Sequence, residues 1–179
     1  MKHNSKIIPP VIIEIRPSKL IKGEIGLFAT RILKKNTIIA LAKKLEERFF
    51  PWSKYKELDK ITKNKVDNFT MQTEEGFYLP PDFNYLSVPW NMNHSCNYNV
   101  GFDKEGNFVT VKNIKAGEEL LLDYGMFFSD PKFVMKCKCG SKSCRKVITG
   151  NDWKSDIYRN KNKDYFLREL LKKSIEIKK

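Results

Sequence analysis

The chain has 179 residues, of which 41% are hydrophobic and 12% are aromatic. This length suffices for one self-supporting core, and this composition excludes a largely disordered chain. The net charge of +13 comes mainly from residues 31–65 and from the acid-free stretch 132–146. Such a cationic surface attracts anionic partners, nucleic acid among them. A solvated lysine-rich surface without a partner explains the charge equally well.

No part of the sequence is predicted to enter a membrane, because no apolar run reaches the length of a membrane span. The opening segment MKHNSKIIPPVIIEI lacks the apolar stretch and the small-residue cleavage site of a secretory signal, since two prolines and Glu14 interrupt it. The protein is therefore predicted to be intracellular, in the cytoplasm, nucleus or nucleoid, or in a host cell if its source is a pathogen or virus.

The first elements are short and mostly extended. Apolar or β-branched segments bounded by Gly, Pro, Lys or Asn predict strands at 11–15, 25–30 and 37–41. A helix is predicted from Pro51 to Val66, because apolar side chains recur on one face at helical spacing. The segments FTMQ, GFYL and YLSV follow, with a turn at Pro80-Pro81 between the last two.

Alternation predicts one more strand in NFVTVKNI (107–114), and the turn at 115–117 leads into EELLLDYG. A cysteine-rich loop follows. From Asp164, a candidate N-cap, helical spacing predicts an amphipathic C-terminal helix. Its apolar positions are Phe166, Leu167, Leu170, Leu171 and Ile175. Because the elements show no βαβ alternation, the fold class is predicted to be a β-rich α+β domain.

Four cysteines suggest a metal site. Cys137, Cys139 and Cys144 form a CxCx4C cluster, and Cys96 is the other thiol of the sequence. Structural zinc is held tetrahedrally by four ligands, usually thiolates, so the count of thiols suits one ion. Disulfides are the alternative, but an intracellular setting opposes them and the CxC pair is poorly spaced for bridging. His94 is an alternative ligand to Cys96.

Several motifs together resemble the SET domain with its post-SET zinc motif, as found in small bacterial or viral SET proteins. They are KGEIGLFA (22–29), NHSC (93–96), GEELLLDYG (117–125) and the CxCx4C cluster. The resemblance covers about residues 11–150, with the motifs in the family's order. Cys96 is selected twice, because it ends NHSC and also completes the set of four thiols.

The resemblance implies a fold and a division of the chain. The SET fold consists of several small sheets around a pseudo-knot, with a post-SET four-cysteine zinc loop and, here, a C-terminal helix. The implied SET domain covers 11–128, the post-SET zinc-binding segment 129–150 and a C-terminal helical extension 151–179. The implied zinc ligands are Cys96, Cys137, Cys139 and Cys144.

The implied function is protein-lysine N-methyltransferase. The methyl group would pass from S-adenosylmethionine, the cosubstrate, to a lysine ε-amine of a protein substrate such as a histone tail or another basic protein. A basic enzyme that binds a basic tail needs an acidic groove, for which Glu46-Glu47 and Glu74-Glu75 are candidates. The alternative is a non-catalytic SET-like zinc module that binds chromatin, nucleic acid or protein.

The resemblance also implies residues that bind the donor. Backbone groups of the first motif would contact its methionine end, at Gly23, Glu24, Ile25 and Gly26. Glycine suits such a close approach because it has no Cβ, yet Glu24 stands where the family has its first glycine; a strand-entry turn is the alternative interpretation. Asn93 and His94 would bind the adenine side. Phe69, placed in the FTMQ strand, would lie beside donor and substrate.

Two further positions carry implied roles in the chemistry. Tyr124 matches the catalytic tyrosine, with a core aromatic as the alternative interpretation. Leu122 falls in the substrate channel, where relatives carry a Phe or Tyr that limits how many methyl groups fit. Because leucine has no hydroxyl to hold a water or an amine, the sequence predicts a product beyond monomethyl-lysine.

Overall fold

In the computed structural model, residues 10–42, 47–167, 170 and 173 are described. Their strands are, in chain order, β1 (Ile13–Pro17), β2 (Ile25–Ala29), β3 (Ile38–Ala40), β4 (Arg48–Pro51), β5 (Met71–Gln72), β6 (Gly76–Leu79), β7 (Asn93–His94), β8 (Val100–Phe102), β9 (Phe108–Thr110), β10 (Glu119–Leu122), β11 (Val134–Lys136) and β12 (Val147–Thr149). The α-helices are α1 (Trp52–Tyr55), α2 (Lys60–Phe69) and α3 (Asp156–Asn162). Single 3-10 turns lie at Phe83–Tyr85, Val88–Asn91, Tyr124–Met126 and Asp152–Lys154.

The strands form three small sheets within this part of the chain. The largest has the order β1-β2-β10-β8-β9-β3, and β7 pairs with β10 beside it. The second contains β4, β6 and β5, and the third is the β11–β12 hairpin. This β-rich arrangement of small sheets confirms the predicted fold class.

Strand β10 organises the centre of the molecule. It pairs antiparallel with β2 and parallel with both β7 and β8. The segment between β7 and β8 also stays on β10, because Ser95 N donates to Leu122 O at 3.0 Å and Asn99 N donates to Leu121 O at 3.0 Å. The residues that follow β7 and those that follow β10 therefore lie next to each other.

The single helix predicted from Pro51 to Val66 was wrong. The structure has α1 and α2 instead, because the Asp59 carboxylate caps a new helix by accepting hydrogen bonds from Ile61 N at 2.8 Å and Thr62 N at 3.0 Å. Helix α2 continues to Phe69, which the sequence had placed in a strand. The strand β5 begins only at Met71.

The core includes Leu120 and Leu122 of β10 and extends to Leu170. Its buried apolar side chains include Leu27, Val100, Ile114, Leu120, Met126 and Trp153. Phe166 and Leu170 belong to the same cluster. The predicted helix start at Asp164 was wrong, because residues 163–167 are turn or irregular and the described helical positions are Leu170 and Lys173. Leu171 and Ile175, predicted for the same amphipathic face, lie outside the described residues. Every helix in the described ranges is too short or too polar to cross a bilayer.

Candidate active site and four-cysteine cluster

The four cysteines meet at one point of the structure. Their sulfur atoms all lie within 4.8 Å of one another, and Cys96 Sγ is 3.8 Å from Cys137 Sγ. All four are free of disulfides. A compact set of four thiols is the donor set that structural zinc prefers, so the residues present fit the metal that the sequence suggested.

Backbone amides surround these sulfurs. Arg145 N points to Cys96 Sγ at 3.4 Å, Lys146 N to Cys144 Sγ at 3.4 Å and Cys139 N to Cys137 Sγ at 3.5 Å. Amide donors stabilise thiolates, the form in which cysteine binds a metal. The loop that carries three of the thiols closes the β11–β12 hairpin, while Cys96 follows β7. The cluster therefore ties the hairpin to the middle of the chain.

A cleft of about 610 Å³ lies beside the cluster, within the usual size of small-molecule sites. It brings together six of the predicted site residues: Glu24, Ile25, Phe69, Asn93, His94 and Tyr124. Residues 133–136, which include β11, form another part of its lining. The hairpin held by the cysteines therefore supplies one wall of the cleft.

The two glycines of the first motif do not line this cleft. Gly23 has a φ of +87° and open space around it, so it serves a turn in which only glycine is unstrained. At Gly26 a Cβ would lie 2.3 Å from Glu119 Oε1. Gly26 therefore leaves room for a neighbouring carboxylate, and its backbone contact with a ligand stays a prediction.

Glu119 is a buried residue that connects several segments, and its role was not predicted from the sequence. Its carboxylate accepts hydrogen bonds from Ser18 Oγ at 2.8 Å, Lys19 N at 2.9 Å and Asn93 Nδ2 at 3.0 Å. Asn93 Nδ2 also donates to Ile25 O at 2.8 Å. The first motif and the Asn-His step are thus fixed to each other. The signal was available, since Glu119 lies in the GEEL segment.

His94 is buried between the cleft and the cysteines. Burial lowers its pKa to about 4, although the nearby charge of Asp123 opposes this effect. The ring is therefore neutral at pH 7. Its Nδ1 accepts from Tyr124 N at 3.2 Å, so Nε2 carries the proton and faces Cys96 Sγ at 3.5 Å. The alternative of His94 as a ligand is not favoured, because the four sulfurs already form a complete set.

Tyr124 stands just beyond β10, on the 3-10 turn that Asp123 caps. Its hydroxyl donates to Met92 O at 2.9 Å. Burial, with a smaller contribution from the negative charge of Glu24, raises the pKa of Tyr124 to about 12. The phenol is therefore neutral at physiological pH and presents an oxygen and an O–H bond, not a phenolate.

A narrow pocket of about 40 Å³ adjoins the cleft, and we call it the channel. Tyr124, Trp90 and Phe128 line both spaces. Leu122, which is 3% exposed, and Phe108 lie on the channel side. The channel is mostly aromatic and aliphatic, so it suits an uncharged, slender chain and disfavours a charged one.

A third space, a groove of about 400 Å³, lies against the other side of Phe127, which lines both the groove and the channel. Its walls include Phe49, Met71 and Tyr78. Glu75, one of the candidate acids, is in the groove and is paired with Lys173 at 2.8 Å. Glu46, another candidate, lies outside the described residues.

The geometry describes a β-rich domain in which a four-thiol cluster holds one wall of a ligand-sized cleft, with an apolar channel opening from it. Comparison with known proteins agrees. The SET domain family model matches residues 24–125. Human and mouse histone-lysine N-methyltransferase 2D are each 40% identical to this chain over 62 residues, which is 31% of this chain and 1% of either relative. The chain belongs to the SET domain family.

Proposed function

We propose that the protein is a protein-lysine N-methyltransferase that uses S-adenosylmethionine and binds one structural zinc ion at Cys96, Cys137, Cys139 and Cys144. The observation that carries the proposal is the meeting of two spaces at Tyr124. The larger one has the size of a nucleoside-containing ligand. The smaller one is lined mostly by aromatic and aliphatic side chains and shares Tyr124 with the larger one. A donor in the cleft and an amine in the channel would meet beside the phenol.

The transfer is an in-line displacement. The lone pair of the neutral lysine amine forms the N–C bond while the C–S bond breaks, and its electrons stay on the sulfur of S-adenosylhomocysteine. The amine, with an ordinary pKa of about 10.4, first loses its proton to solvent. An apolar channel and a neighbouring sulfonium both lower that pKa, through desolvation and like-charge repulsion. Tyr124 and the Met92 carbonyl orient the reacting groups, so positioning supplies much of the rate.

The proposed donor contacts follow from the cleft. Asn93 and His94 bind the adenine side, Glu24 and Ile25 face the methionine end, and Phe69 packs beside the bound molecule. All five line the same space. Gly23 and Gly26 support these contacts indirectly, by shaping the turn and by leaving room for Glu119.

The proposed substrate is a histone tail or another basic protein. The two relatives are named as histone-lysine methyltransferases, and the chain matches about 1% of their length. Glu75 lines the groove, where a basic segment would replace its present ion pair with Lys173. The cationic stretch 132–146 supports contact with nucleic acid that carries such a substrate.

The proposed function also implies a division of the chain into three segments. The SET domain proper covers 11–128, the post-SET zinc segment 129–150 and a helical extension 151–179. The hairpin and its cysteine loop fall within the second segment, and α3 falls within the third.

The function is tested by methyl transfer. Zinc-loaded protein is incubated with S-adenosylmethionine carrying a tritiated methyl group, together with core histones and, separately, a cell lysate, and labelled sites are mapped by mass spectrometry. The proposal predicts label on lysine ε-nitrogen. Donor binding with no label in any protein would instead support the non-catalytic module, and absence of both would contradict the family's chemistry here.

Replacing Asn93 by alanine is expected to weaken S-adenosylmethionine binding at least about tenfold, or roughly 1.4 kcal/mol, because the amide that ties Ile25 to the Asn-His step is lost. Isothermal titration calorimetry measures the change. Asn97→Ala, at an exposed position four residues on, is the control and should leave the affinity unchanged. Equal affinities of the two variants would remove Asn93 from the donor site.

Replacing Leu122 by phenylalanine is expected to shift the product from di- or trimethyl-lysine to monomethyl-lysine, because the larger ring fills the channel between Phe108 and Tyr124. Mass spectrometry of the substrate at saturation measures the distribution. Leu121→Phe, on the opposite face of the same strand, is the control. Strict monomethylation by the unchanged protein would end this assignment.

A further inference from the structure

Arg145, which directly follows the third cysteine of the loop, reaches the base of the Tyr124 turn. Its guanidinium donates to both oxygens of Asp123, from Nη1 at 2.6 Å and Nη2 at 2.7 Å. The Asp123 side chain is 1% exposed. A two-pronged bond to a buried carboxylate fixes its orientation as well as its charge.

The same residue is attached to the cysteine cluster by its backbone. Arg145 N lies 3.4 Å from Cys96 Sγ, and its neighbour Cys144 is a proposed ligand. The guanidinium is further held by Asp152, with Nε to Oδ2 at 3.2 Å, and by the Tyr158 ring, whose centroid is 4.6 Å away. Backbone and side chain of one residue therefore connect the cluster to the site.

Asp123 contacts residues of the candidate active site as well as Arg145. Its carboxylate accepts from Gly125 N at 3.1 Å, which caps the turn that carries Tyr124. It also lies 3.7 Å from Nδ1 of His94, the atom that accepts from Tyr124 N. A carboxylate free to rotate would release both contacts.

We propose that Arg145 is a positioning residue, which transmits the order of the cysteine loop to Tyr124 by locking the Asp123 carboxylate with its two-pronged bond. The inference rests on the proposed function, in that Tyr124 is the residue whose position matters for turnover. A positive charge at position 145 is not sufficient to hold the Asp123 carboxylate in one orientation. Lysine would neutralise Asp123 but could not reproduce the planar fork.

The test compares the unchanged protein with Arg145→Lys, which keeps a cation against the buried carboxylate and so preserves the fold. Asp152→Asn is the matched control, because it loosens the guanidinium's other acidic contact and leaves the Asp123 pair. Each protein is characterised by kcat, substrate KM, S-adenosylmethionine Kd, zinc content, unfolding temperature, and amide hydrogen exchange of residues 120–127.

For Arg145→Lys we expect kcat to fall about tenfold, which corresponds to about 1.4 kcal/mol of barrier, with KM, Kd and zinc content within about twofold of the unchanged protein. Exchange in residues 120–127 should be faster. Asp152→Asn should leave kcat and exchange in that segment unchanged. A purely structural Arg145 would lower zinc content or unfolding temperature in step with kcat, and that result overturns the inference.

Unchanged kcat and unchanged exchange in Arg145→Lys also overturn it. If the unchanged protein transfers no methyl group, the proposed function fails by itself. Hydrogen exchange then decides on Arg145 separately: faster exchange in the turn supports the mechanical connection, and equal exchange rejects it.

Discussion

Tyr124→Phe is expected to lower kcat for methyl transfer about 10²- to 10³-fold, the usual effect of removing one oriented polar group at a reacting centre. The phenol oxygen is fixed by its bond to Met92 O at 2.9 Å, at the boundary of cleft and channel. Phenylalanine keeps the ring and its packing on His94. Donor affinity should therefore stay within about twofold, because uniform binding is unaffected.

Single-turnover methyl transfer and calorimetry with S-adenosylmethionine separate the two effects. Tyr98→Phe is the matched control, since it also removes a tyrosine hydroxyl. That hydroxyl donates to Asn162 Oδ1 at 2.7 Å, and Tyr98 does not line the cleft. It should cost about 1 kcal/mol of stability and leave kcat unchanged. Full activity of Tyr124→Phe would show that the phenol has no part in the reaction.

Removal of zinc is expected to have the largest effect on structure. The hairpin that walls the cleft is joined to β7 through Cys96, and the binding free energy of a four-thiolate site, about 10–16 kcal/mol at pH 7 in small zinc domains, is folding free energy. Chelation should therefore lower the unfolding temperature and weaken S-adenosylmethionine binding at least about 100-fold, a loss of about 2.7 kcal/mol. Added zinc should restore both.

Cys139→Ser should reproduce the effect of chelation and should not respond to added zinc. Ser143→Ala, at an exposed position in the same loop, is the control and should bind one zinc per chain. Elemental analysis gives the metal content, and thermal unfolding followed by circular dichroism gives the stability. A chain purified without zinc that binds the donor with unchanged affinity would show that the cluster has no structural role.

The motifs allowed much of this arrangement to be predicted from sequence. The resemblance to the SET domain implied that the NHSC and DYG segments meet, and in the structure NHSC begins in β7 beside β10, which DYG follows. The four thiols were expected at one point because a tetrahedral site needs four ligands. Both expectations concern short motifs in which the order of the residues determines the chemistry. Tertiary packing therefore has little freedom to change where these residues lie.

The parts that sequence did not predict depend on side chains that act across the fold. The helical periodicity of 51–66 continued through a break that the Asp59 cap creates. The close approach of Glu119 to Gly26 was not predicted, because that carboxylate comes from a distant part of the chain. Arg145 looked like one of many cations in a basic stretch. Its proposed role depends on a contact with Asp123, 22 residues earlier in the chain. The pattern of charges in the sequence does not predict which acid a given arginine contacts.

We propose that one cleft, bounded by the Asn-His step, Tyr124 and the cysteine-held hairpin, binds the methyl donor. A crystal structure of the zinc-loaded protein with S-adenosylhomocysteine tests it most directly. We expect one zinc among the four sulfurs and S-adenosylhomocysteine in this cleft, with its sulfur facing the mouth of the channel beside Tyr124. Product bound elsewhere, or a sulfur directed away from the channel, would contradict it.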